Sequence, residues 1–259
     1  MWGQWPFVGG FFLRYAVLAI IVLIVSYTFY KAKTSEPLIP QTLSQYLSIA
    51  LMSPVGVLVC FMIFNALKGR TYPTQGIDLQ FPLRNGQFYI ANGGANRLLN
   101  NHFRPNTKSQ QFALDINRLN ARGAVSNSIF TTSNESYYSF ADTIYCPCAG
   151  RIIETQTTIA DNSTASMEVA PEDGTGNFVK IDCDAAQVFV AHLKQSSVLV
   201  EAGNVVQAGE ALGLVGNSGF SQEPHLHIQA AVYDSDSALI GIPMKFKGRY
   251  LSRNDRIVN

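Results

Sequence analysis

Residues 200–233 have the sequence VEAGNVVQAGEALGLVGNSGFSQEPHLHIQAAVY. Their short apolar runs are separated by turns that contain Gly and Asn, a pattern typical of consecutive β-strands. We predict strands at Ala211–Val215 and His225–Tyr233. Similar runs continue upstream, which indicates that residues 71–259 form a mostly β domain. The other predicted strands are Ile77–Leu83, Gln87–Ile90, Thr143–Cys146, Gly150–Glu154, Phe178–Cys183 and Val188–Lys194.

The segment His225–Leu226–His227 lies inside the second of these strands. Side chains alternate between the two faces of a strand, so the two imidazoles should point to one side together with Gln229. A lone histidine is most often an ordinary core or surface residue, but a pair at this spacing can converge on one metal ion. The opposite face is predicted to carry Leu226, Ile228 and Ala230.

Two more polar residues interrupt apolar, strand-like runs. In VFVAHLK, His192 is predicted to share a face with Val188 and Val190. In QQFALDI, Asp115 is a lone acid whose burial would be costly unless a cation compensated its charge; the alternative is an ordinary Asp at a strand end. With His102, all four histidines lie in the predicted β domain.

The charge balance limits the kinds of partner. The chain has 259 residues, with 19 Lys and Arg, 18 Asp and Glu, and a formal net charge of +1. No basic surplus is available to neutralise phosphates, which argues against a nucleic-acid-binding protein. Charged residues make up 14% of the chain, against about 25% in average soluble proteins. We therefore expect part of the chain to lie in a membrane.

Two stretches near the start of the chain, 15–30 and 46–67, carry no charge and favour membrane-spanning helices. We predict these helices at about 11–30 and 46–67, the length that a bilayer core requires. Residues 1–70 would then form a membrane anchor. The alternatives are a cleaved signal peptide for the first stretch and a buried core helix for the second.

Several segments, in this order, resemble the lysostaphin-like, β-lytic zinc metallopeptidases that cut peptidoglycan peptides. The similarity covers residues about 80 to 235, and its most specific part is the Gly-rich hairpin followed by P-H-L-H. It implies an antiparallel β-sandwich of the barrel-sandwich hybrid type. The segments are FALDI (112–116), YCPCAGRI (145–152), GNFVKI (176–181), VAHL (190–193), residues 200–219 of the hairpin and EPHLHI (223–228).

The resemblance also implies roles for particular residues. One Zn²⁺ would be held by His102, Asp115 and His227. His225 would be the general base that takes a proton from the attacking water, and His192 would orient that water or stabilise the oxyanion. The sequence departs from the common H-x-x-x-D pattern, because a dozen residues separate His102 from Asp115. The segment NNHFRPNTKSQQFALD resembles a longer spacing found in some members.

Other classes of protein share the hairpin pattern. Lipoyl and biotinyl carriers need an exposed Lys at a hairpin tip, whereas Lys194 lies in a predicted strand. A histidine phosphocarrier needs two facing histidines and no Asp ligand. A catalytically silent, peptidoglycan-binding or hydrolase-activating relative usually lacks one or more ligands. All five candidate positions are filled here, which favours an enzyme.

The cysteines leave several arrangements open. Cys60 lies in the second uncharged stretch, and Cys146, Cys148 and Cys183 lie in the β domain. One disulfide from Cys183 to either of the other two is one hypothesis, and three free cysteines are the alternative. A second zinc site is less favoured, because three thiolates lack a clear fourth ligand.

Together these observations predict a membrane-anchored zinc metalloendopeptidase that hydrolyses stem or cross-bridge peptides of peptidoglycan. Its expected location is the bacterial cytoplasmic membrane, with the C-terminal domain in the periplasm or outside the cell. Specificity is expected to depend on surface loops. The loops in question are 120–140, 155–176 and 216–224.

Overall fold

The structure is a computed structural model that describes residues 42–128, 133–164 and 169–259, together with seven isolated positions between residues 19 and 30. Fourteen strands and one α-helix lie in the three described ranges, which confirms the mostly β prediction. The helix is α1 (Leu43–Lys68). The strands are β1 (Ile77–Leu79), β2 (Gln87–Asn92), β3 (Leu114–Leu119), β4 (Thr143–Tyr145), β5 (Gly150–Gln156), β6 (Asn177–Asp182), β7 (Gln187–Leu193), β8 (Val205–Val206), β9 (Ala211–Leu214), β10 (Leu226–Tyr233), β11 (Leu239–Ile242), β12 (Met244–Phe246), β13 (Arg249–Tyr250) and β14 (Arg256–Val258).

The structure corrects the prediction of membrane-spanning helices. The first predicted helix, about 11–30, lies outside the three described ranges, and the second corresponds to α1. Within the described residues, no helix combines the length and apolar character that crossing a bilayer requires, so the predicted location in the cytoplasmic membrane is wrong. The prediction relied on the absence of charge, which a membrane-spanning helix requires but which does not by itself establish one. The division of the chain at residue 70 stays a prediction.

A nine-stranded sheet forms the centre of the fold. Its strands follow the order β14-β2-β3-β10-β7-β6-β5-β8, with β11 also paired to β10. Neighbouring strands in this sheet are antiparallel. A three-stranded sheet (β1-β12-β13) and the β4–β9 pair complete the β structure of the described residues.

One face of the nine-stranded sheet covers the hydrophobic core. The alternation predicted for β10 is confirmed, because its three apolar side chains lie in this core while the side chain of His227 lies on the other face. The smaller sheets supply the facing apolar side chains, among them Leu79, Ile144, Leu212, Met244 and Phe246. A smaller apolar cluster covers part of the second face of the large sheet, and the rest of that face remains available for a functional site.

A disulfide joins Cys148 to Cys183, with the two Cα atoms 5.9 Å apart. It confirms the hypothesis of a single bridge to Cys183 and identifies its partner. Cys146 is buried and unpaired, and Cys60 is exposed. Both bridged residues pack against the hydrophobic core.

Candidate metal centre

The site is built on one row of residues that runs across the large sheet. In register, Asn92 on β2 lies opposite Asp115 on β3, Asp115 opposite His227 on β10, and His227 opposite Ala191 on β7. Directly opposed residues in a sheet have their Cβ atoms about 5 Å apart. Strand pairing alone therefore brings together a carboxylate and an imidazole that are separated by 112 residues in the sequence.

Three side chains in this region present atoms suited to a metal ion. Potential ligand atoms of His102, Asp115 and His227 all lie within 4.8 Å of one another. His102 Nε2 is 2.9 Å from Asp115 Oδ2, and His227 Nδ1 is 3.0 Å from Asp115 Oδ1. Asp115 and His227 are buried, and His102 is partly exposed. All three of the predicted ligands are thus in one place.

His102 reaches the cluster from the loop between β2 and β3, which accounts for its long separation from Asp115. The buried Asn100 organises this loop by donating hydrogen bonds to the carbonyls of Gly94, Gln111 and Ala113. Its Oδ1 accepts a hydrogen bond from the backbone N–H of His102 at 3.0 Å. The loop folds back on itself, so the two predicted ligands meet despite the extra residues.

Asp115 is held as a carboxylate by its neighbours. Burial acts to raise its pKa, but the charge and hydrogen bond of His102 and the nearby His225 and His227 outweigh burial and hold the pKa well below the usual range. Asn92 Nδ2 also donates to Asp115 Oδ2 at 2.7 Å. Arg253 in turn donates to Asn92 Oδ1 and so orients the amide. A fixed, ionised carboxylate is the form that binds a cation.

His227 is oriented by Gln229, two residues further along the same strand face. His227 Nε2 lies 3.0 Å from Gln229 Oε1, an oxygen that can only accept a hydrogen bond. Nε2 therefore carries the proton in the neutral ring, and Nδ1 keeps its lone pair towards Asp115. This tautomer leaves Nδ1 free to bind a metal.

His192 lies in a β-bulge, and its side chain is on the face opposite to the predicted one. Asn177 and Phe178 on β6 oppose Leu193 and Ala191 on β7, so His192 is the extra residue, and its φ is 62°. A bulge of this kind reverses the alternation of side chains beyond it. His192 accordingly lines the same cleft as Ala191, whereas Val188 and Val190 lie in the core.

His192 and His225 are held in a common tautomer. His192 Nδ1 lies 2.8 Å from the carbonyl of Ser218, and His225 Nδ1 lies 2.8 Å from the carbonyl of Glu223. Carbonyls only accept, so each Nδ1 donates and each Nε2 is a free acceptor in the neutral ring. Burial lowers the pKa of both rings, that of His192 well below its usual range, which keeps them neutral.

The two rings also lie beside the cluster of His102, Asp115 and His227. His225 Nε2 is 3.7 Å from Asp115 Oδ1, and the centroids of the His192 and His225 rings are 5.1 Å apart. The His192 and His227 centroids are 5.7 Å apart. The structure therefore brings all five predicted site residues together, while their individual roles stay a prediction.

The buried Asn162 shapes the loop that supplies the Ser218 carbonyl. Asn162 Nδ2 lies 2.9, 2.6 and 3.1 Å from the carbonyls of Asn217, Gly219 and Ser221. Sequence reasoning missed this residue as well as Asn92 and Asn100. Their partners are mostly backbone carbonyls that are distant in sequence, so the only available signal was the abundance of Asn in turns.

The cluster opens onto two adjoining clefts of about 470 and 690 Å³. Both are lined by His102, His192 and Phe220. The larger cleft also contains Glu223, where burial first and the charge of Asp115 second raise the pKa to about 7. The clefts have volumes typical of small-ligand or peptide sites.

The donor set can be tested against the preferences of zinc. Catalytic zinc sites combine three protein ligands, drawn from imidazole nitrogen and carboxylate oxygen, with an open position. Two imidazole nitrogens and one carboxylate oxygen meet here beside a cleft. The hydrogen bonds from Asn92 to Asp115 and from His227 to Gln229 also match the outer contacts that orient metal ligands. The residues therefore fit a zinc ion.

Comparison with protein families confirms the resemblance found in the sequence. Residues 138–238 match the model of Peptidase family M23. The match contains His192, His225 and His227, whereas His102 and Asp115 precede it. No curated protein of assigned function matches the chain.

Solved structures of peptidases are also similar to this chain. They include a zinc-containing peptidase from Vibrio cholerae, with 14% identity, a TM-score of 0.37, and coverage of 71% of this chain and 41% of that one. The catalytic domain of the antimicrobial peptidase lysostaphin from Staphylococcus simulans has 21% identity, a TM-score of 0.29, and coverage of 43% of this chain and 80% of that one. A proposed glycyl-glycine endopeptidase from Ruminococcus gnavus has 16% identity, a TM-score of 0.40, and coverage of 63% of this chain and 56% of that one. The chain thus spans less than half of the first of these structures.

Proposed function

We propose, from the M23 match and the geometry of the site, that this chain is a zinc metalloendopeptidase that hydrolyses peptide bonds in the stem or cross-bridge peptides of peptidoglycan. One Zn²⁺ per domain would be held by His102 Nε2, a carboxylate oxygen of Asp115 and His227 Nδ1. The observation that carries the proposal is the convergence of these atoms within 4.8 Å, beside two further neutral imidazoles.

Each remaining side chain has a proposed part in the hydrolysis. When bound, zinc would polarise the scissile carbonyl and lower the pKa of its bound water to about 7. His225, whose Nε2 is a free acceptor next to Asp115, takes the proton of the attacking water and passes it to the leaving amine. His192 orients the water or stabilises the charge that develops on the carbonyl oxygen.

The fold and the substrate class belong to the same proposal. We assign the large sheet and its smaller partners to the barrel-sandwich hybrid type that the resemblance implies. M23 peptidases act on peptidoglycan peptides, and the two clefts beside the cluster provide room for an extended peptide.

Zinc content and muropeptide digestion test this function directly. The purified full chain should hold one zinc per molecule and digest muropeptides, and a chelator should abolish the digestion. His227→Ala should lose both zinc and activity. His225→Ala should keep zinc and lose activity, because it removes the base and leaves the ligands in place.

The same experiment separates the alternative functions. A protein that binds muropeptides but does not cut them when loaded with zinc would be a silent relative. A zinc-free protein that accepts phosphate on a histidine would be a phosphocarrier. Either result would overturn the proposal.

A further inference from the structure

Three arginines lie along one side of the larger cleft. Arg97, Arg104 and Arg253 line the same 690 Å³ space as Asp115 and His225. This concentration of positive charge does not follow from the composition, because the chain as a whole has a net charge of only +1. The group is called the arginine wall below.

Arg253 is a rigid member of the arginine wall. Its Nε donates to the carbonyl of Ala91 at 2.8 Å, its Nη1 to that of Leu98 at 3.3 Å, and its Nη2 to Asn92 Oδ1. All three acceptors are neutral. A guanidinium has five N–H groups, so two remain for a ligand, and its charge is not balanced by these contacts.

Arg104 and Arg97 are exposed members of the arginine wall. Arg104 Nε donates to the carbonyl of Asn101 at 2.8 Å, which leaves the four Nη hydrogens for other partners. In the described part of the chain, no carboxylate forms a salt bridge with any of the three arginines, unlike Arg70 and Arg118, which pair with Asp255 and Asp142. Arg97 and Arg104 thus carry charges without an acidic partner there, whereas Arg253 also lies within reach of the charge of Asp115.

The arginine wall lies on the His102 side of the cluster. Arg104 is two residues from His102, and Arg253 is connected to Asp115 through Asn92. Glu223 and Ser221 come from a different loop, the one that leads into His225. A peptide lying across the site would therefore meet positive charge on one side only.

We propose that the arginine wall binds a carboxylate group of the substrate, so that the preferred peptide has an acidic side chain or a free terminal carboxylate close to the scissile bond. The inference rests on the proposed peptidase function and extends it to the class of peptide. Guanidinium groups match carboxylates in shape and donate paired, charge-assisted hydrogen bonds to them. Recognition on one side of the metal also fixes the direction in which the peptide lies.

Chemical amidation of the substrate tests the proposal. Native muropeptides and muropeptides whose carboxylates have been amidated with carbodiimide and ammonia are compared as substrates of the zinc-loaded full chain. Native peptides should have a kcat/KM at least about ten-fold higher, mainly through KM. The variant R97Q/R104Q should lose most of this preference, because two of the three guanidinium groups can no longer bind the carboxylate. Arg151→Gln, which removes an exposed arginine outside both clefts, should keep the preference.

A binding measurement keeps this inference separate from the peptidase function. Fluorescence anisotropy of labelled muropeptides with chelator-treated full chain should show the same ratio of affinities for native and amidated peptides. If no peptide is cut but the ratio persists, the proposed function fails and the arginine wall remains a carboxylate site. Equal affinities and rates for both peptides, or an undiminished preference in R97Q/R104Q, would overturn the inference.

Discussion

At the scale of single residues, the amide of Asn92 decides how Asp115 is presented. It donates to Asp115 Oδ2 and is itself fixed by Arg253. We expect Asn92→Ala to weaken zinc binding by about 10- to 100-fold, the usual effect of removing an outer contact of a metal ligand. Zinc affinity can be measured by competition with a chromogenic chelator. Asn204→Ala, in an exposed turn, is the control and should bind zinc normally.

Gln229 allows a test of the tautomer of His227. Gln229→Leu removes the acceptor at 3.0 Å from Nε2, so the proton is no longer confined to that nitrogen. Zinc affinity should fall by about ten-fold. Gln229→Glu retains an acceptor in the same place and should retain the affinity. Equal zinc affinity in the Leu and Glu variants would contradict the proposed orientation of the ring.

The raised pKa of Glu223 predicts that the stability of the metal-free protein depends on pH. Its pKa rises from 4.5 to about 7 on folding, through burial and then the charge of Asp115. Since the folded state holds the proton more tightly, the stabilisation is fully present below pH 4.5 and is lost as the pH rises to about 7. The loss should be about 1 to 3 kcal/mol.

Denaturant unfolding at several pH values measures this effect. In chelator-treated protein, Glu223→Gln should show a smaller fall in the free energy of unfolding between pH 4.5 and 7 than the parent. The control is Glu201→Gln, which alters an exposed carboxyl and should follow the parent. Parallel curves for the parent and Glu223→Gln would rule out the assigned shift.

At the scale of elements, the segment before β6 and the loop that follows β9 fit together through a glycine. Gly176 has a φ of +68°, and a Cβ there would lie 2.4 Å from the carbonyl oxygen of Ser218, which accepts the hydrogen bond of His192. Gly176→Ala should displace that carbonyl and lower kcat/KM by about 10- to 100-fold. Muropeptide digestion measures the loss.

A second glycine separates this steric effect from backbone strain. Gly203 also has a positive φ, +93°, but nothing lies within 4 Å of a Cβ added there. Gly203→Ala should therefore share the strain cost of about 1 kcal/mol in stability while keeping full activity. If both variants lost activity equally, strain rather than the Ser218 carbonyl would be responsible.

The elements also show how far the sequence could predict the site. The face of β10 that carries His227 could be predicted, because alternation with period two runs unbroken through that strand. The face of His192 could not, since the bulge depends on pairing with β6 and has no sequence signal on β7. The position of His102 depends on three hydrogen bonds made by Asn100 to carbonyls up to 13 residues away. Distant pairing, rather than local pattern, determines those features.

At the scale of the whole molecule, the core and the site occupy opposite faces of one sheet. The row of Asn92, Asp115 and His227 lies on one face, and the hydrophobic core covers the other. The Cys148–Cys183 disulfide packs against the core. Stability and metal binding should therefore respond to different substitutions, provided that the sheet remains folded.

Removal of the disulfide tests this separation. The bridge closes a loop of 35 residues, so the double variant C148A/C183A should lose about 2 to 4 kcal/mol in the free energy of unfolding. Because neither cysteine touches the cluster, its zinc affinity should equal that of the parent at temperatures where both are folded. Cys60→Ala, which alters the exposed cysteine of α1, should change neither quantity. A double variant that remained folded but bound zinc much more weakly would mean that the core side of the sheet controls the geometry of the site.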